Sequence, residues 1–338
     1  MSNKVLVIGS FIQDLAFKVD RLPVPGETRV GEFTTGPGGK GSNQAIASSR
    51  SGADTMLITA FGDDHAGHSA SKFLLENGVK CFKPFWSQTD PTGAASISID
   101  KEGQNSIIVS LGANKCLKED YLVKCMDHLT QNEESIPDVV VTQLEHGEYD
   151  TDISAPLEQL PHSCIKILNP APMSEKRFDS HLLSNVDLIT PNETEFLDIY
   201  KEVVERDLDV YPEDLHRLGG EILYDLCENL EVPHIIITLG ENGCYIFNSE
   251  EEEYEFKPPL EVNVVSTAGA GDAFTGALAA YLASKCGNQR DPVDLNQSLS
   301  DAADFAIVAA GLSVTKEGTS PAMPTLEEIR ASLSVYKS

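Results

Sequence analysis

Short apolar segments that alternate with helix-like segments constrain this chain more than any other feature. Beyond about residue 115, the apolar segments lie at residues 138–144, 165–169, 187–190 and 234–239. Segments this short and this continuously apolar are typical of strands buried on both faces of a sheet. Connections of helical length between such strands predict a mainly parallel sheet with helices on both sides. The apolar segment at residues 4–9 predicts one more strand of this sheet.

Other segments do not fit this parallel layer. Residues 28–35 lie within a stretch rich in proline and glycine and are mostly polar, whereas residues 94–100 alternate between polar and apolar side chains. The alternation predicts a half-buried antiparallel strand, with residues 106–111 as its neighbour. We therefore expect one domain over residues 1–338, with a small β-sheet lid built from residues at about 12–41 and 93–112. A lid excludes water from group-transfer chemistry, in which hydrolysis is the competing reaction.

The charge balance limits the partners of the chain. It has 25 Lys and Arg residues against 53 Asp and Glu residues, a formal net charge of −28. Such a field repels nucleic acids and anionic lipid surfaces, so we expect neither as a partner. A nucleotide is not excluded, because backbone N–H groups and Mg²⁺ hold phosphates locally. No apolar stretch approaches the roughly 18 residues of a membrane helix, and the first apolar segment is too short for a signal peptide. We expect a cytoplasmic protein.

The small residues Gly269, Ala270 and Gly271 lead into Asp272 at the start of a helical pattern. Small residues at a helix N-terminus leave several N–H donors facing one point, which suits the oxygens of a phosphate in transfer. We expect the helix dipole to lower the pKa of Asp272, so that its carboxylate accepts a hydroxyl proton. The alternative interpretation makes Asp272 only a helix N-cap.

Three further motifs are polar or rich in glycine. Residues 36–41 match G-x-G-x-x-G only formally, because a polar segment precedes them. They lead into Ser42 and Asn43 at a helix start, and polar groups there suit a hydroxyl-rich ligand. The alternative interpretation is a plain glycine turn. Residues 190–195 follow a strand, and their oxygens suit Mg²⁺. Asn192 and Glu195 fit a helix capping box equally well. The glycine turn at residues 238–243 also follows a strand and suits a nucleotide that lies on backbone.

In this order the motifs resemble the ribokinase-like (PfkB) carbohydrate kinase family, and within it the ribokinases, from Val5 to about Pro324. The resemblance rests on residues 9–10 with Asp14, 25–28, 38–45, 62–64, 143–145, 169–172, 192–195, 238–243 and 269–272. It implies a three-layer α/β/α fold and a β lid that often forms the contact of a homodimer. It also implies ATP as phosphate donor, with Mg²⁺.

The resemblance assigns a role to each matching residue. Asp272 resembles the base that deprotonates the primary hydroxyl of the sugar, beside an anion hole of Gly269, Ala270 and Gly271. Glu195 resembles the residue that organises Mg²⁺ and its waters. The set that resembles the sugar-binding residues is Asp14, Gly38, Gly39, Lys40, Gly41, Asn43 and Glu145, with Asp272. The set that resembles the nucleotide-binding residues is Asn192, Thr238, Leu239, Gly240, Glu241, Asn242, Gly243, Gly271 and Ile307.

The chain departs from the ribokinase pattern at a few positions. Ile12 stands where those proteins have an asparagine, so an amide that holds a sugar hydroxyl is missing. Ser266 and Ala322 replace an aspartate and a serine that help to bind an activating K⁺. With these two ligands changed, we expect K⁺ to bind weakly or not at all. The remaining candidates for a monovalent cation site are Ser266 and the carbonyl groups of Ala268, Ser313, Lys316 and Gly318.

The sequence therefore predicts an ATP-dependent kinase, a phosphotransferase that phosphorylates a primary hydroxyl of a small-molecule sugar, with D-ribose to ribose 5-phosphate first. Because Ile12 departs from the pattern, a nucleoside or another sugar such as fructose remains an alternative acceptor. An alternative of another class is a non-catalytic sensor of sugar or nucleotide. The intact turn at Gly269–Asp272 disfavours a sensor, which has no use for a base beside an anion hole.

Overall fold

The apolar segments form one large sheet, and the lid segments form a second sheet. The computed structural model describes residues 3–132, 135–147, 153–173, 180–286 and 294–337. The strands are β1 Lys4–Ile8, β2 Ile12–Lys18, β3 Glu32–Gly38, β4 Asp54–Ile58, β5 Ala60–Gly62, β6 Lys80–Cys81, β7 Phe85–Ser87, β8 Gly93–Ile99, β9 Asn105–Ser110, β10 Val139–Gln143, β11 Ile165–Asn169, β12 Leu188–Ile189, β13 His234–Thr238, β14 Cys244–Asn248 and β15 Glu253–Lys257.

Helices connect most of these strands. They are α1 Lys40–Arg50, α2 His65–Glu76, α3 Glu119–Thr130, α4 Ser154–Glu158, α5 Ser180–Leu183, α6 Glu193–Val204, α7 Gly220–Glu228, α8 Ala270–Lys285, α9 Leu295–Ser313 and α10 Leu326–Tyr336. None of the helices in the described part of the chain is both long and apolar enough to cross a membrane.

The large sheet has nine strands in the order β15-β14-β13-β12-β11-β10-β1-β4-β6. Every pair from β6 to β13 is parallel, and β14 and β15 add an antiparallel hairpin at one edge. Strand β1 is central: Val7 pairs with Val141 of β10 on one side and with Leu57 of β4 on the other. The predicted parallel sheet is therefore confirmed.

Hydrophobic cores lie on both faces of this sheet. Leu6 and Ile8 of β1 belong to a buried cluster that includes residues of α3, α6 and α7. Val5 and Val7, which point the opposite way, belong to a cluster with residues of α1, α8 and α9. Successive side chains of a strand face opposite sides of the sheet, so one apolar strand supplies both cores. This confirms the predicted three-layer α/β/α arrangement.

The lid is a four-stranded sheet in the order β3-β2-β8-β9. Its outer pairs, β2–β3 and β8–β9, are antiparallel, but the central pair β2–β8 is parallel, from Ile12 opposite Gly93 to Lys18 opposite Ile99. The predicted antiparallel pairing of residues 94–100 with 106–111 is therefore confirmed, whereas the parallel pairing of β2 with β8 was not predicted. β2 follows β1 of the large sheet, whereas β8 follows β7 of a separate two-stranded sheet formed with β5, so the sequence of either strand alone does not show that the two run side by side in the same direction.

A buried amide joins the lid to the large sheet. Asn114 Oδ1 accepts a hydrogen bond from Phe11 N at 3.2 Å, while Nδ2 donates to Phe11 O at 2.9 Å and to Leu111 O at 2.8 Å. Phe11 precedes β2 and Leu111 follows β9, so one fully buried side chain fixes two of the lid's connections to the main domain.

Glycines bring the start of α1 against the end of β1. A Cβ atom on Gly41 would lie 2.5 Å from Gly9 C and from Ser10 N, closer than real Cβ atoms approach other heavy atoms. Helix α1 therefore begins in direct backbone contact with the loop that follows β1. This contact places Lys40 and Asn43, in the first turn of α1, at the carboxyl edge of the sheet.

We predict that Gly41→Ala destabilises the protein by about 1–3 kcal/mol, since the added Cβ forces the backbone at Gly9 to move. In an ordinary helix, the same change is stabilising by about 1 kcal/mol. Urea unfolding of both proteins measures the difference. Gly36→Ala is the matched control, since a Cβ there meets nothing within 4 Å. A Gly41→Ala protein as stable as the wild type would contradict the contact.

Candidate active site

A cavity of about 170 Å³ lies at the carboxyl edge of the large sheet, between the ends of β11, β12 and β13 and the N-terminus of α8. Open α/β sheets bind ligands at this edge, because loops rather than helices cover the strand ends there. The cavity is lined by Lys40, Asn169, Ala171, Thr190, Asn192, Glu195, Thr238, Thr267, Gly269, Ala270, Gly271, Asp272 and Thr275.

Helix α8 points its N-terminus into this cavity. Gly269 has a φ of +79° just before the helix, and no side chain caps the helix N-terminus. A Cβ on Gly271 would meet nothing within 4 Å, so the backbone there is open to close approach. Asp272 is the third residue of the helix and makes no capping bond, so the N-cap interpretation was wrong. An uncapped helix start of this kind is suited to bind an anion.

The carboxylate of Asp272 is buried, with 7% of the residue exposed, and side-chain amides hold both of its oxygens. Asn43 Nδ2 donates to Oδ2 at 2.9 Å, and Gln44 Nε2 donates to Oδ1 at 3.0 Å. Burial raises the pKa of Asp272, although Lys40 and the two amides act to lower it. The expected lowering of this pKa by the helix dipole was therefore wrong, because loss of solvation outweighs it. A raised pKa makes the carboxylate a stronger base.

Lys40 supplies the positive charge of the site. Its side chain lines the cavity, and the carboxylates of Asp272, Glu145 and Glu195 surround it. Burial alone lowers the pKa of the Lys40 ammonium, but these three negative charges outweigh burial and raise it. Lys40 therefore stays protonated beside Asp272, where it is able to neutralise the charge of a phosphate.

The residues predicted to bind a sugar come together beside Asp272. Ser10 Oγ donates to Glu145 Oε2 at 2.5 Å, and Lys40 N donates to the same oxygen at 2.7 Å. The carboxylate of Asp14 lies where a Cβ on Gly38 would be, so only glycine leaves room for it. Burial raises the pKa of Asp14 to about 6, and repulsion by Glu145 and Asp272 adds to this. Carboxylate oxygens at this place are able to accept hydrogen bonds from the hydroxyl groups of a sugar.

Gly39 and Gly41, the other predicted sugar-site residues, act through the backbone. Gly39 has a φ of +91° just before α1, and its Cα lies against the backbone of residues 10–12. Together with the contact of Gly41 on Gly9, this conformation carries the chain from the lid into α1. It thereby brings Gly38 next to Asp14 and Asn43 next to Asp272.

The residues predicted to bind a nucleotide are only partly brought together. Asn192 and Thr238 form an isolated parallel bridge and both line the cavity. Leu239 is buried in the core, and the next residues form a short turn that ends at Gly243, where φ is +89°. Ile307 lies in α9 and packs into the core. The cavity lining does not include Leu239, Gly240, Glu241, Asn242, Gly243 or Ile307.

Glu195 and Asn192 form a capping box, which was one of the two alternatives that the sequence allowed. Asn192 N donates to Glu195 Oε2 at 2.9 Å, and Glu195 N donates to Asn192 Oδ1 at 2.9 Å. Both side chains also line the cavity, so capping orients them there. Burial raises the pKa of Glu195, against the effects of the Asn192 bond and Lys40. Carboxylate, amide and hydroxyl oxygens at one point are donors that Mg²⁺ accepts, directly or through water.

The segments predicted to hold a monovalent cation are adjacent. Val265 N and Ser266 N both donate to Val314 O, at 2.7 Å and 3.1 Å. However, Ser266 Oγ accepts a bond from Ala268 N at 3.3 Å, and the carbonyl of Ser313 accepts one from Lys316 N. In the described part of the chain, no group of three or more His, Cys, Asp or Glu residues is arranged to hold a metal ion.

Several residues of the site were not predicted from the sequence. Asn169 and Thr275 line the cavity, and Gln44 binds Asp272. Asn169 and Gln44 lie within motifs that support the family resemblance, and Asn169 ends a strand, which was the available signal. Thr190 and Thr275 bond to each other at 3.1 Å across β12 and α8, a contact that only the tertiary structure reveals.

We predict that Asp14→Asn raises the free energy of unfolding by about 2 kcal/mol at pH 7.5. Its pKa is raised from 3.8 to about 6, so the folded protein binds this proton more tightly than the unfolded chain. The stability cost of ionised Asp14 is therefore absent below about pH 4, develops as the pH rises from about 4 to about 6, and is complete above about pH 6.

Urea unfolding at pH 4.5 and pH 7.5 tests this prediction, because the gain should be small at the lower pH. Asp209→Asn, a change at an exposed residue, serves as control. An equal gain from Asp14→Asn at both pH values would show that packing, rather than charge, is responsible.

The cavity has the features of a site for phosphoryl transfer. These are an uncapped helix N-terminus, a buried carboxylate held by amides and a neighbouring lysine, at the edge of a sheet with helices on both faces. A model of the pfkB family of carbohydrate kinases matches residues 2–326. The chain therefore belongs to the pfkB carbohydrate kinase family, as the resemblance predicted. The family also confirms the predicted enzyme class, a phosphotransferase with an alcohol group as acceptor.

Individual relatives agree with this assignment. The chain is 34% identical over 334 residues to a ribokinase of Lactococcus lactis, covering 98% of this chain and 97% of that one. Its fold is similar to that of a ribokinase from Giardia lamblia, with a TM-score of 0.85, 28% identity and coverage of 99% and 100%. It is also similar to an Arabidopsis thaliana ribokinase complexed with ribose and ATP, with a TM-score of 0.78, 25% identity and coverage of 98% and 99%.

Proposed function

We propose that this protein transfers the γ-phosphate of ATP to the primary hydroxyl of D-ribose, giving ribose 5-phosphate and ADP. The observation that carries this proposal is the position of Asp272. Its buried carboxylate is held by Asn43 and Gln44 at the start of α8 and lines a cavity that also contains Lys40. The ribokinase names of similar proteins over nearly the full chain support ribose as the acceptor.

The proposed reaction needs positioning more than covalent chemistry. The ribose hydroxyl gives its proton to Asp272 as its oxygen forms a bond to the γ-phosphorus. The bond from that phosphorus to the bridging oxygen breaks, and ADP leaves with the electron pair. N–H groups at the start of α8 and the Lys40 ammonium stabilise the negative charge on the transferred phosphoryl group.

Asp14, Glu145 and Asn43 are proposed to bind the sugar hydroxyls, with Gly38, Gly39, Lys40 and Gly41 shaping the subsite. For the nucleotide we propose Asn192, Thr238, the turn that ends at Gly243, and Ile307. Glu195 would hold Mg²⁺ through water, with Asn192 beside it. Bound Mg²⁺ supplies charge neutralisation on the phosphates of ATP.

The candidate site for K⁺ lacks two of the side-chain ligands that the ribokinase pattern supplies, because Ser266 and Ala322 depart from that pattern. The Ser266 hydroxyl and the Ser313 carbonyl each also accept one hydrogen bond within the protein, which competes with a cation for their lone pairs. We therefore propose that Ser266, Ala268, Ser313, Lys316 and Gly318 bind a monovalent cation weakly, and no step of the reaction depends on it. We also propose that residues 1–338 form one kinase domain and that the protein works in the cytoplasm.

A coupled assay of ADP release from MgATP tests the acceptor, with ribose, other pentoses, hexoses and nucleosides as candidates. Turnover with ribose supports the proposal. The specific reason for a second candidate is Ile12, which lies on the same face of β2 as Asp14 and is 2% exposed. Turnover only with a nucleoside or another sugar such as fructose would place the change of specificity at Ile12. Ligand binding without any turnover would support a sensor.

We predict that Asp272→Asn lowers kcat on the order of 10²–10⁴-fold, since the amide cannot accept the hydroxyl proton. Binding of ATP and of the sugar should remain, because the side chain keeps its shape. Isothermal titration and the coupled assay measure the two quantities. Asp63→Asn, at an exposed residue outside the cavity, is the matched control. Full turnover by the Asp272→Asn protein would contradict the role of this carboxylate.

We propose a homodimer that forms through the outer face of the lid. Phe17 and Phe33 are 41% and 54% exposed and their ring centroids are 5.1 Å apart. The strand register places Ile108, which is 73% exposed, on the same face of the lid sheet. We predict that the protein has the mass of a dimer in light scattering and that Phe17→Ser with Phe33→Ser gives a monomer. Wild-type protein that is monomeric at micromolar concentration would contradict the proposal.

A further inference from the structure

A fully buried amide, Gln44, links Asp272 to two other side chains. Its Nε2 donates one hydrogen bond to Asp272 Oδ1 at 3.0 Å and another to Asn169 Oδ1 at 2.9 Å. Its Oε1 accepts a bond from Gln143 Nε2 at 2.6 Å. Gln44 and Gln143 both have 0% exposure, and neither lines the cavity. Gln44 therefore contacts the proposed base from behind, on the side away from substrate.

A backbone carbonyl sets the orientation of this amide. Asn169 Nδ2 donates to the carbonyl oxygen of Thr190 at 2.9 Å. A carbonyl oxygen only accepts hydrogen bonds, so Asn169 must turn its own Oδ1 toward Gln44. Gln44 must in turn present Nε2 to Asn169, and the second hydrogen of the same nitrogen then points at Asp272. The carbonyl of Thr190, just after β12, thus fixes the orientation of Asn169 on β11, and Asn169 fixes that of Gln44 on α1, which donates both to Asn169 and to the carboxylate on α8.

The other oxygen of Asp272 is held by a similar arrangement. Asn43 Nδ2 donates to Oδ2, and Asn43 Oδ1 accepts a bond from Ser320 Oγ at 2.5 Å. Ser320 has 0% exposure and does not line the cavity. The preceding residue, Thr319, donates from Oγ1 to Pro37 O in the lid strand β3 at 3.2 Å. Ser320 therefore connects the amide at Asp272 with a segment that also contacts the lid.

We propose that Gln44 and Ser320 are positioning residues for phosphoryl transfer, which hold the Asp272 carboxylate in one orientation without touching substrate. This inference rests on the proposed kinase activity. Two N–H donors on two different oxygens fix the plane of the carboxylate, and donors to a charged oxygen also favour the charged form. The charged groups that face Asp272 from other elements are Lys40 on α1, Glu145 after β10, Glu195 on α6 and Asp14 on β2.

Removal of either residue has a specific consequence for the pH profile. The base acts when it is ionised, so the rate rises as the pH passes its pKa. Loss of Gln44 removes a donor to the charged form, and loss of Ser320 leaves the Asn43 donor less firmly held; both changes raise that pKa, so the acid limb of the profile moves to higher pH. A merely structural role would reduce the amount of active enzyme equally at every pH and leave the limb in place.

The experiment compares wild type, Gln44→Met and Ser320→Ala in the coupled assay from pH 5 to pH 9. Gln44→Met should lower kcat by about tenfold or more, with the KM values for ATP and sugar little changed and the acid limb shifted to higher pH. Ser320→Ala should act in the same direction by a smaller amount, because Asn43 remains, and Ser320→Thr should restore the profile.

Ser48→Ala is the matched control, since Ser48 is a fully buried serine of α1 that bonds Thr55 and not the site. Circular dichroism and ATP titration establish that each variant is folded. If Gln44→Met does not fold, the milder variant Ser320→Ala tests the positioning role by itself. Folded variants with the wild-type pH profile and kcat would overturn the inference while leaving the kinase proposal intact. A wild type without turnover on any acceptor would instead overturn the proposed function.

Discussion

The site depends on one electrostatic balance, that between a buried carboxylate and the groups that solvate it in place of water. Burial works against the charge of Asp272, and an isolated carboxylate in such a place would take up a proton. The ammonium of Lys40 and the amide donors of Asn43 and Gln44 oppose this effect. All three residues come from the first turns of α1, so the geometry of that helix start determines the chemistry at α8.

The position of α1 follows in turn from glycine. The helix start is close enough to β1 only because Gly9 and Gly41 have no side chains, and the chain enters α1 only because Gly39 adopts a positive φ. The G-x-G-x-x-G pattern at residues 36–41 would predict a phosphate-binding loop, but these glycines have a different role here. Their role is to bring two backbones into contact, and the glycines that we propose to bind an anion are instead Gly269 and Gly271 at the start of α8.

The sequence was a good guide to the large sheet and an uneven guide to the rest. Strands buried on both faces leave a continuous apolar signal, so β1, β10, β11 and β13 were predicted close to their observed bounds. The parallel pairing of β2 with β8 left no such signal, because it joins two segments that are far apart in sequence. The pKa of Asp272 was predicted in the wrong direction, since the helix dipole is a local property whereas burial is a property of the whole fold. Gln44 was overlooked because its partners, Asn169 and Gln143, are about a hundred residues away in sequence.

The cleft favours a nucleotide that already carries a divalent cation over a free nucleotide. The reason is the proximity of four acidic residues to a single lysine, namely Asp14, Glu145, Glu195 and Asp272. Four acidic groups face one ammonium, so the cleft before substrate arrives carries more negative than positive charge. In a chain with a net charge of −28, the surrounding field has the same sign. Free nucleotide phosphates are therefore repelled at long range, and only a nucleotide that already carries its divalent cation approaches with much of this repulsion removed.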